Sequence, residues 1–241
     1  MPVARDARRV LTARPLVSVI LPVLDEADGI DGVLDHLASL KGELEVIVCD
    51  GGSRDGTPER AEAHRPAPRV LRVGAGRARQ QNAGAAAAHG EALVFLHADS
   101  RLPPGAYGAI RAALRDPGCP GGNFALRFDG NDPFSRALTA WYGVQRGFGV
   151  YYGDSSLWVR RGAWLALGGF RPMAIMEDYE LVRRLERRGA TACLPGPART
   201  SSRRWRAAGV PRTVLSWVVI RWLWLAGVPA DRLAALYRHV R

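Results

Sequence analysis

Cysteine is scarce in this chain and its spacing carries no pattern: Cys49, Cys119 and Cys193 are odd in number and far apart. That excludes a disulfide framework and a Cys-x-x-Cys metal site, and a reducing, cytoplasmic compartment fits. Lysine is nearly missing, Lys41 standing alone beside 33 arginines. There is no P-loop, no His-Glu-x-x-His, no Gly-x-Ser-x-Gly and no internal repeat. The longest apolar stretch, Val214 to Val228, covers 15 residues with Arg221 in its middle, short of the roughly 20 nearly uncharged residues a spanning helix needs. Residues 1–15 hold arginines but no apolar run of the kind a secretory signal requires, and they read as a mobile tail.

What is present is the composition of a globular protein with one sizeable core: 241 residues, 47% hydrophobic and 24% charged. The net charge of +11 is unevenly placed. Between Leu181 and Arg241 there are 13 arginines against Glu186 and Asp231, a surplus equal to that of the whole chain, so residues 1–180 are neutral. The cationic end also holds Trp205, Trp217, Trp222 and Trp224. Cationic charge interleaved with tryptophan suits an anionic membrane surface, the inner face of the cell membrane for a cytoplasmic protein. For Val214 to Val228 an interfacial helix and a helix buried against the body or a partner subunit are both compatible with the pattern. A basic nucleic-acid-binding module is the non-enzyme alternative.

Short β-branched apolar runs alternate with helical stripes over the first hundred residues. Val17 to Val23 and Glu45 to Asp50 read as strands buried on both faces, and Arg69 to Val73 and Ala92 to Leu96 as two more short strands. Between them, Ile30, Val33, Leu34 and Leu37 share one helical stripe, Pro58 opens a second helix and the alanine-rich stretch Arg77 to His89 forms a third. This alternation predicts an α/β fold with a parallel, doubly wound sheet, whose ligands bind beyond the C-terminal strand ends. After Asp99 the rhythm loosens. A helix near Gly105 to Arg115, a strand at Gly122 to Phe128, a helix at Asp178 to Arg188, a strand at Thr191 to Leu194 and terminal helices at Val210 to Ala226 and Asp231 to Val240 are expected. The boundaries implied are a tail at 1–15, a body at 16–200 divided near residue 100 into nucleotide-side and acceptor-side halves, and a basic helical extension at 201–241.

Acids cluster where such a sheet would place a site: Asp25-Glu26, Asp50, Asp99 and Glu177-Asp178 fall at strand ends or helix starts. Any one of them alone reads equally as a solvated turn or helix cap. Asp50 heads a glycine-rich turn, Gly51-Gly52-Ser53, where a carboxylate can accept hydrogen bonds from a base or ribose and the backbone can approach a ligand. Asp99 offers a hard oxygen ligand to Mg²⁺ or Mn²⁺, and His97, two residues earlier, is a second candidate ligand. Gly74-Ala75-Gly76 lacks the third glycine of a dinucleotide fingerprint. A nucleotidyltransferase of related fold should carry a lysine-bearing glycine loop where Leu24-Asp25-Glu26 stands.

Taken in order, Val17 to Glu26, Asp50 to Thr57, Arg77 to Gly84, His97 to Ser100 and Glu177-Asp178 resemble the family-2 inverting glycosyltransferases. Gly76 to Gly84, Gly153-Asp154, Gly168-Gly169-Phe170 and Arg203-Arg204-Trp205 resemble the short bacterial members associated with radical-SAM and selenodomain gene sets, also labelled arsenosugar biosynthesis glycosyltransferases. The resemblance implies the Rossmann-like GT-A fold, a mostly parallel sheet with C-terminal helices, and a hexosyltransferase type of activity with inversion on a nucleotide-diphosphate sugar, using a divalent metal and an unidentified small-molecule or lipid hydroxyl acceptor. It further implies that Pro22, Leu24, Glu26, Asp50, Gly52, Arg79, Asn82, Ala98 and Asp99 face the donor. Asp99, with His97 at the place of the motif's first acid, would hold the metal. Asp178 would be the base, oriented by Glu177, and Gly153, Asp154, Arg203, Arg204 and Trp205 would lie on the acceptor side.

Overall fold

The computed structural model describes residues 16–238; the segment read as a tail, and the final residues with His239, lie outside the described residues. Strands β1 (Val17–Val23), β2 (Leu44–Asp50), β3 (Arg69–Arg72) and β4 (Ala92–Phe95) alternate with helices α1 (Ala27–Ser39), α2 (Thr57–Ala63) and α3 (Arg77–Ala87). The four strands lie parallel in the order β3-β2-β1-β4. Both faces of β1 are covered. Val19 and Leu21 join one cluster with Ile30, Val33 and Leu37 of α1, while Ile20 joins another with Ala78 and Ala85 of α3. That two-sided burial is why the strand sequences read as unbroken apolar runs rather than alternating ones. Helix α3 approaches the sheet closely: a Cβ on Gly84 would stand 2.5 Å from Cγ2 of Ile20 and 2.7 Å from Sγ of Cys49.

The second half is mixed. It adds β5 (Ser100–Arg101), α4 (Ala106–Ala113), β6 (Gly121–Phe128), α5 (Pro133–Gly147), β7 (Leu157–Arg160), α6 (Arg161–Leu167), α7 (Glu177–Glu186) and β8 (Ala192–Thr200), followed by α8 (Arg203–Ala208), α9 (Val210–Leu225) and α10 (Ala230–Arg238). The full sheet has eight strands in the order β3-β2-β1-β4-β7-β6-β8-β5. Strand β7 runs antiparallel to β4 and β6, β8 is parallel to β6, and β5 is antiparallel to β8. The fold is therefore α/β with a mostly parallel central sheet and C-terminal helices, as the strand-helix rhythm indicated.

Several elements depart from the sequence reading. Helix α5 forms between the expected strand at Gly122 to Phe128 and the expected helix at Asp178 to Arg188, where no element was expected; Asp132 caps it by accepting from the Ser135 N–H (2.9 Å), with Pro133 in its first turn. Strand β8 extends to Thr200 despite Pro195, Gly196 and Pro197. The arginine-rich link is helix α8, and Trp205 anchors it: its ring is buried against Phe128 (4.9 Å between centroids), Phe134 and Trp217.

Candidate functional site

Chain order runs outward from β1 to β3 and then returns to β4 on the other side of β1. The C-terminal ends of β1 and β4 therefore flank the switch point, the place where open α/β sheets bind ligands. Two loops build one wall there. The Asp25 N–H donates to Oγ of Ser53 (2.9 Å), Glu26 N–H to Oγ1 of Thr57 (2.9 Å), Ala27 N–H to Oδ2 of Asp55 (2.8 Å), and Arg54 N–H to Oδ1 of Asp25 (2.8 Å). Asp25 adopts a left-handed φ of 52°, a conformation Asp tolerates better than most residues. Behind this wall the buried Gln80 amide donates to the carbonyls of Val23 (2.8 Å) and Cys49 (2.7 Å), fixing the ends of β1 and β2 together. Gln80 escaped the sequence reading; its polarity within an alanine-rich helix was the available signal.

The other wall comes from the end of β4 and from α7 and α8. Arg203 of α8 reaches across the sheet edge, its Nη2 lying 3.2 Å from Oε1 of Glu26 and 3.3 Å from Oδ2 of Asp99. One guanidinium thus joins the loop after β1, the loop after β4 and the C-terminal helices. Deeper, Asp178 in the first turn of α7 is nearly buried and its Oδ2 accepts from the Gly153 N–H (2.8 Å). A Cβ on Gly153 would be 3.0 Å from that same oxygen and 3.0 Å from Nε2 of His97, so the imidazole and the carboxylate lie within about 6 Å of each other. A larger residue at 153 would press on both side chains.

Glu177 is almost wholly buried, and Arg77 in the first turn of α3 donates to its Oε1 through Nε. Burial pushes the Glu177 carboxyl above its ordinary range, Arg77 opposes that rise, and the neighbouring Asp178 adds to it. A cation in a first helical turn opposes the helix dipole, so Arg77 at that place signals an acid partner elsewhere in the chain; here it is 100 residues away.

The remaining predicted residues divide. Leu24 is exposed on the rim, Pro22 is half-buried at the end of β1, and Gly52 is exposed with φ of +98°. Arg79 is exposed beside Gly74 at the end of β3, and Ala98 is buried next to Asp99. Asp154 follows Gly153 in a short 3-10 turn, Gly153–Ser155. Others have protein partners of their own. Asp50 is buried, and its carboxylate accepts from the Gly52 N–H (2.9 Å) and the Ser53 hydroxyl (2.5 Å), closing its own turn. Both ends of the Asn82 amide are taken by the Phe170 backbone, at 2.8 and 2.9 Å, which ties α3 to the chain after α6. Trp205, expected on the acceptor side, is instead the centre of the aromatic cluster under α8 and α9. The side chain of Arg204 lies outside the described residues.

No group of three or more His, Cys, Asp or Glu side chains is gathered as a metal site among the described residues. Asp99 nevertheless suits one: its carboxylate keeps 25% of its surface in water and faces a cation already. A Mg²⁺ or Mn²⁺ ion can complete its shell with phosphate oxygens and water around one such carboxylate.

Residues 18–176 match the family model described as glycosyl transferase family 2. The chain is 37% identical over 93 residues to glycosyltransferase AglE of Haloferax volcanii, a stretch that covers 35% of this chain and 31% of that one. Across the curated relatives it matches, the aligned stretch spans about a third of their length. Among solved structures, the mannosyltransferase PcManGT from Pyrobaculum calidifontis in complex with GDP-Man and Mn²⁺ superposes with a TM-score of 0.59 at 25% identity, covering 79% of this chain and 57% of that one. Glucosyl-3-phosphoglycerate synthase from Mycobacterium tuberculosis, bound to Mn²⁺, UDP and glucosyl-3-phosphoglycerate, gives 0.58 at 25% identity, over 86% and 80%. These likenesses give the fold as GT-A.

Proposed function

The chain belongs to glycosyl transferase family 2, and from that premise we propose that it transfers a sugar from a nucleoside-diphosphate sugar to an acceptor hydroxyl, with inversion at the anomeric carbon. One observation carries this reading: Glu26, His97, Asp99, Asp178 and Arg203, which are scattered over 178 positions, converge at the switch point of the sheet. The nucleotide lies along the wall made by residues 22–27 and 50–57, with Arg79 beside the diphosphate. Asp99 would hold a divalent cation, Mg²⁺ or Mn²⁺; the two solved structures that the chain resembles were determined with Mn²⁺. When bound, that ion supplies positive charge against the departing diphosphate.

The acceptor oxygen forms its bond to the anomeric carbon as the bond to the diphosphate oxygen breaks, and the electron pair leaves with the nucleoside diphosphate. Asp178 takes the hydroxyl proton. Its carboxylate is suited to the task because the Gly153 N–H holds one oxygen in place, so orientation is settled before the acceptor arrives. Glu177, locked by Arg77, positions the turn that carries Asp178. No covalent enzyme intermediate is needed. Within the family, Gly76 to Gly84, Gly153-Asp154, Gly168-Gly169-Phe170 and Arg203-Arg204-Trp205 support kinship with the short radical-SAM/selenodomain-associated members.

A panel of nucleotide sugars scored by thermal shift with and without Mn²⁺ identifies the donor. With that donor, Asp178→Asn abolishes transfer while nucleoside-diphosphate binding stays nearly intact; equal loss of both would make Asp178 a structural residue and remove it from the chemistry.

A further inference from the structure

Helix α9 is apolar around almost its whole circumference, a pattern that belongs to helices covered on every side. In this chain it is covered on one. Thr213 and Ile220 are buried, Trp217 meets Trp205, and the Trp224 ring lies 5.4 Å from Tyr179. The opposite face is open: Leu215, Val218, Val219, Trp222 and Leu225 recur at three- and four-residue steps, with Leu215 64% and Trp222 68% exposed. Arg221, which interrupts the apolar run in the sequence, does not interrupt this stripe. It turns inward to donate to Oε1 of Gln145 (2.8 Å) and sits 5.7 Å over the Tyr179 ring.

That contact joins α9 to α5, and α5 with the residue just past its end presents a second set of open apolar side chains: Trp141, Val144 and Phe148, the last 81% exposed. Exposed arginines at 206, 212 and 232 stand on α9 itself and on the helices directly before and after it. They belong to the segment that holds the whole net charge of the protein.

The geometry points to an anionic lipid bilayer as what covers this face, with α9 lying flat in the headgroup region and Trp222 and Phe148 as its anchors. Charge selects the occupant. A second copy docked through the same face would set one cationic surround against another, because a two-fold contact pairs each patch with itself. A nucleic-acid backbone would satisfy the arginines but leave a Leu-Val-Trp stripe in water. An anionic membrane meets both halves, since apolar side chains enter the acyl boundary while arginines face lipid phosphates. No helix among the described residues is long and apolar enough to cross the membrane, so the contact is interfacial. Tyr179, which follows Asp178, touches Trp224 on the covered face of this helix, so α9 stands between a docked bilayer and the proposed site; the docking itself does not depend on the transferase reading.

The test is flotation of the full chain with vesicles of phosphatidylcholine alone and of phosphatidylcholine with phosphatidylglycerol, at low and high salt. The protein is expected to float with the anionic vesicles at low salt and to be released by high salt. Trp222→Ser combined with Leu215→Ser should weaken binding by about tenfold or more, and Phe148→Ser just past the end of α5 should act in the same direction, with circular dichroism and melting temperature unchanged. Three results would overturn the inference: no flotation of the unaltered protein at low salt, flotation indifferent to these substitutions, or a dimer that Trp222→Ser converts to monomer without any vesicle binding.

Discussion

Replacing Arg77 with Met gives the sharpest test of how the proposed base is positioned. Arg77 is the ion-pair partner of Glu177, whose carboxylate is 1% exposed, and the substitution strands that carboxylate beside Asp178. Breaking a fully buried pair costs about 3–5 kcal/mol. Arg77 keeps 41% of its side-chain surface in water, which screens the pair, so a loss near the bottom of that range, about 3 kcal/mol, is expected at neutral pH. The loss should depend on pH with a definite sign. The folded Glu177 carboxyl is already raised above its ordinary value of 4.5 by burial, and losing Arg77 raises it further. A group raised in the folded state contributes stability in full below its unfolded value and loses it as pH climbs through the folded one. The unaltered protein stops losing once pH passes its own folded value, whereas the variant continues to a higher one. The gap should therefore be smallest below pH 4.5 and widen toward neutrality. Urea melts of both proteins across that range measure it, and adding Glu177→Gln to the variant should recover most of the loss. A gap of the same size at every pH would mean that Arg77 contributes packing alone, and the electrostatic reasoning would fail.

Three further outcomes follow from single distances. Arg203→Gln removes the cation now shared by Glu26 and Asp99; for so exposed an arginine the competing interaction is about 1 kcal/mol, so Mn²⁺ measured by calorimetry without nucleotide should bind roughly fivefold more tightly, and unchanged affinity would remove Asp99 as the metal carboxylate. Gly153→Ala puts a methyl 3.0 Å from both Asp178 Oδ2 and His97 Nε2; transfer should fall by about tenfold or more with less than about 1.5 kcal/mol of lost stability, and full activity would show that the turn can shift without consequence. Gly84→Ala drives a methyl into Ile20 and Cys49; thermal melts should show a loss of about 1–3 kcal/mol from overpacking, despite the roughly 1 kcal/mol that alanine gains over glycine in a helix, and a more stable variant would contradict the close helix-sheet contact.

The first half of the fold was legible because one physical cause produced most of the signal. A parallel strand buried on both faces must be apolar throughout, and the connecting helices must show a one-sided stripe; Val17–Val23 and Ile30, Val33, Leu34 and Leu37 obey these rules, while the edge strand β3, with an arginine at each end, and the polar, alanine-rich α3 do not. The second half mixes parallel and antiparallel neighbours, and there the rules diverge. Strand β8 contains two prolines and a glycine yet pairs with β6 and, at its end, with β5. Strand β7 has only four residues, too few for any period to emerge. Helix α5 did carry a signal, Asp132-Pro133 with Ser135 two residues on, which is a capped start with a first-turn proline.

At the site, residue type and chain order located the right loops but not what each side chain touches. Asp50 and Asn82 were expected to face the donor; in the structure the Asp50 carboxylate also closes the turn after β2, and both ends of the Asn82 amide pair with the Phe170 backbone. Trp205 was read beside an acceptor and is core. In each case a polar or amphipathic group was first needed to hold backbone that would otherwise be buried unsatisfied, or to seat a helix; Asp50 does so within its own turn, whereas the partners of Asn82 and Trp205, Phe170, Phe128 and Phe134, lie far along the chain where no local pattern contains them. The converse holds for Arg203. Its neighbours in sequence are polar or basic, and nothing local predicts an acid partner, yet it spans 177 positions to Glu26 and also reaches Asp99. A cation that must cross the sheet edge to find its carboxylates couples the C-terminal helices to the donor side.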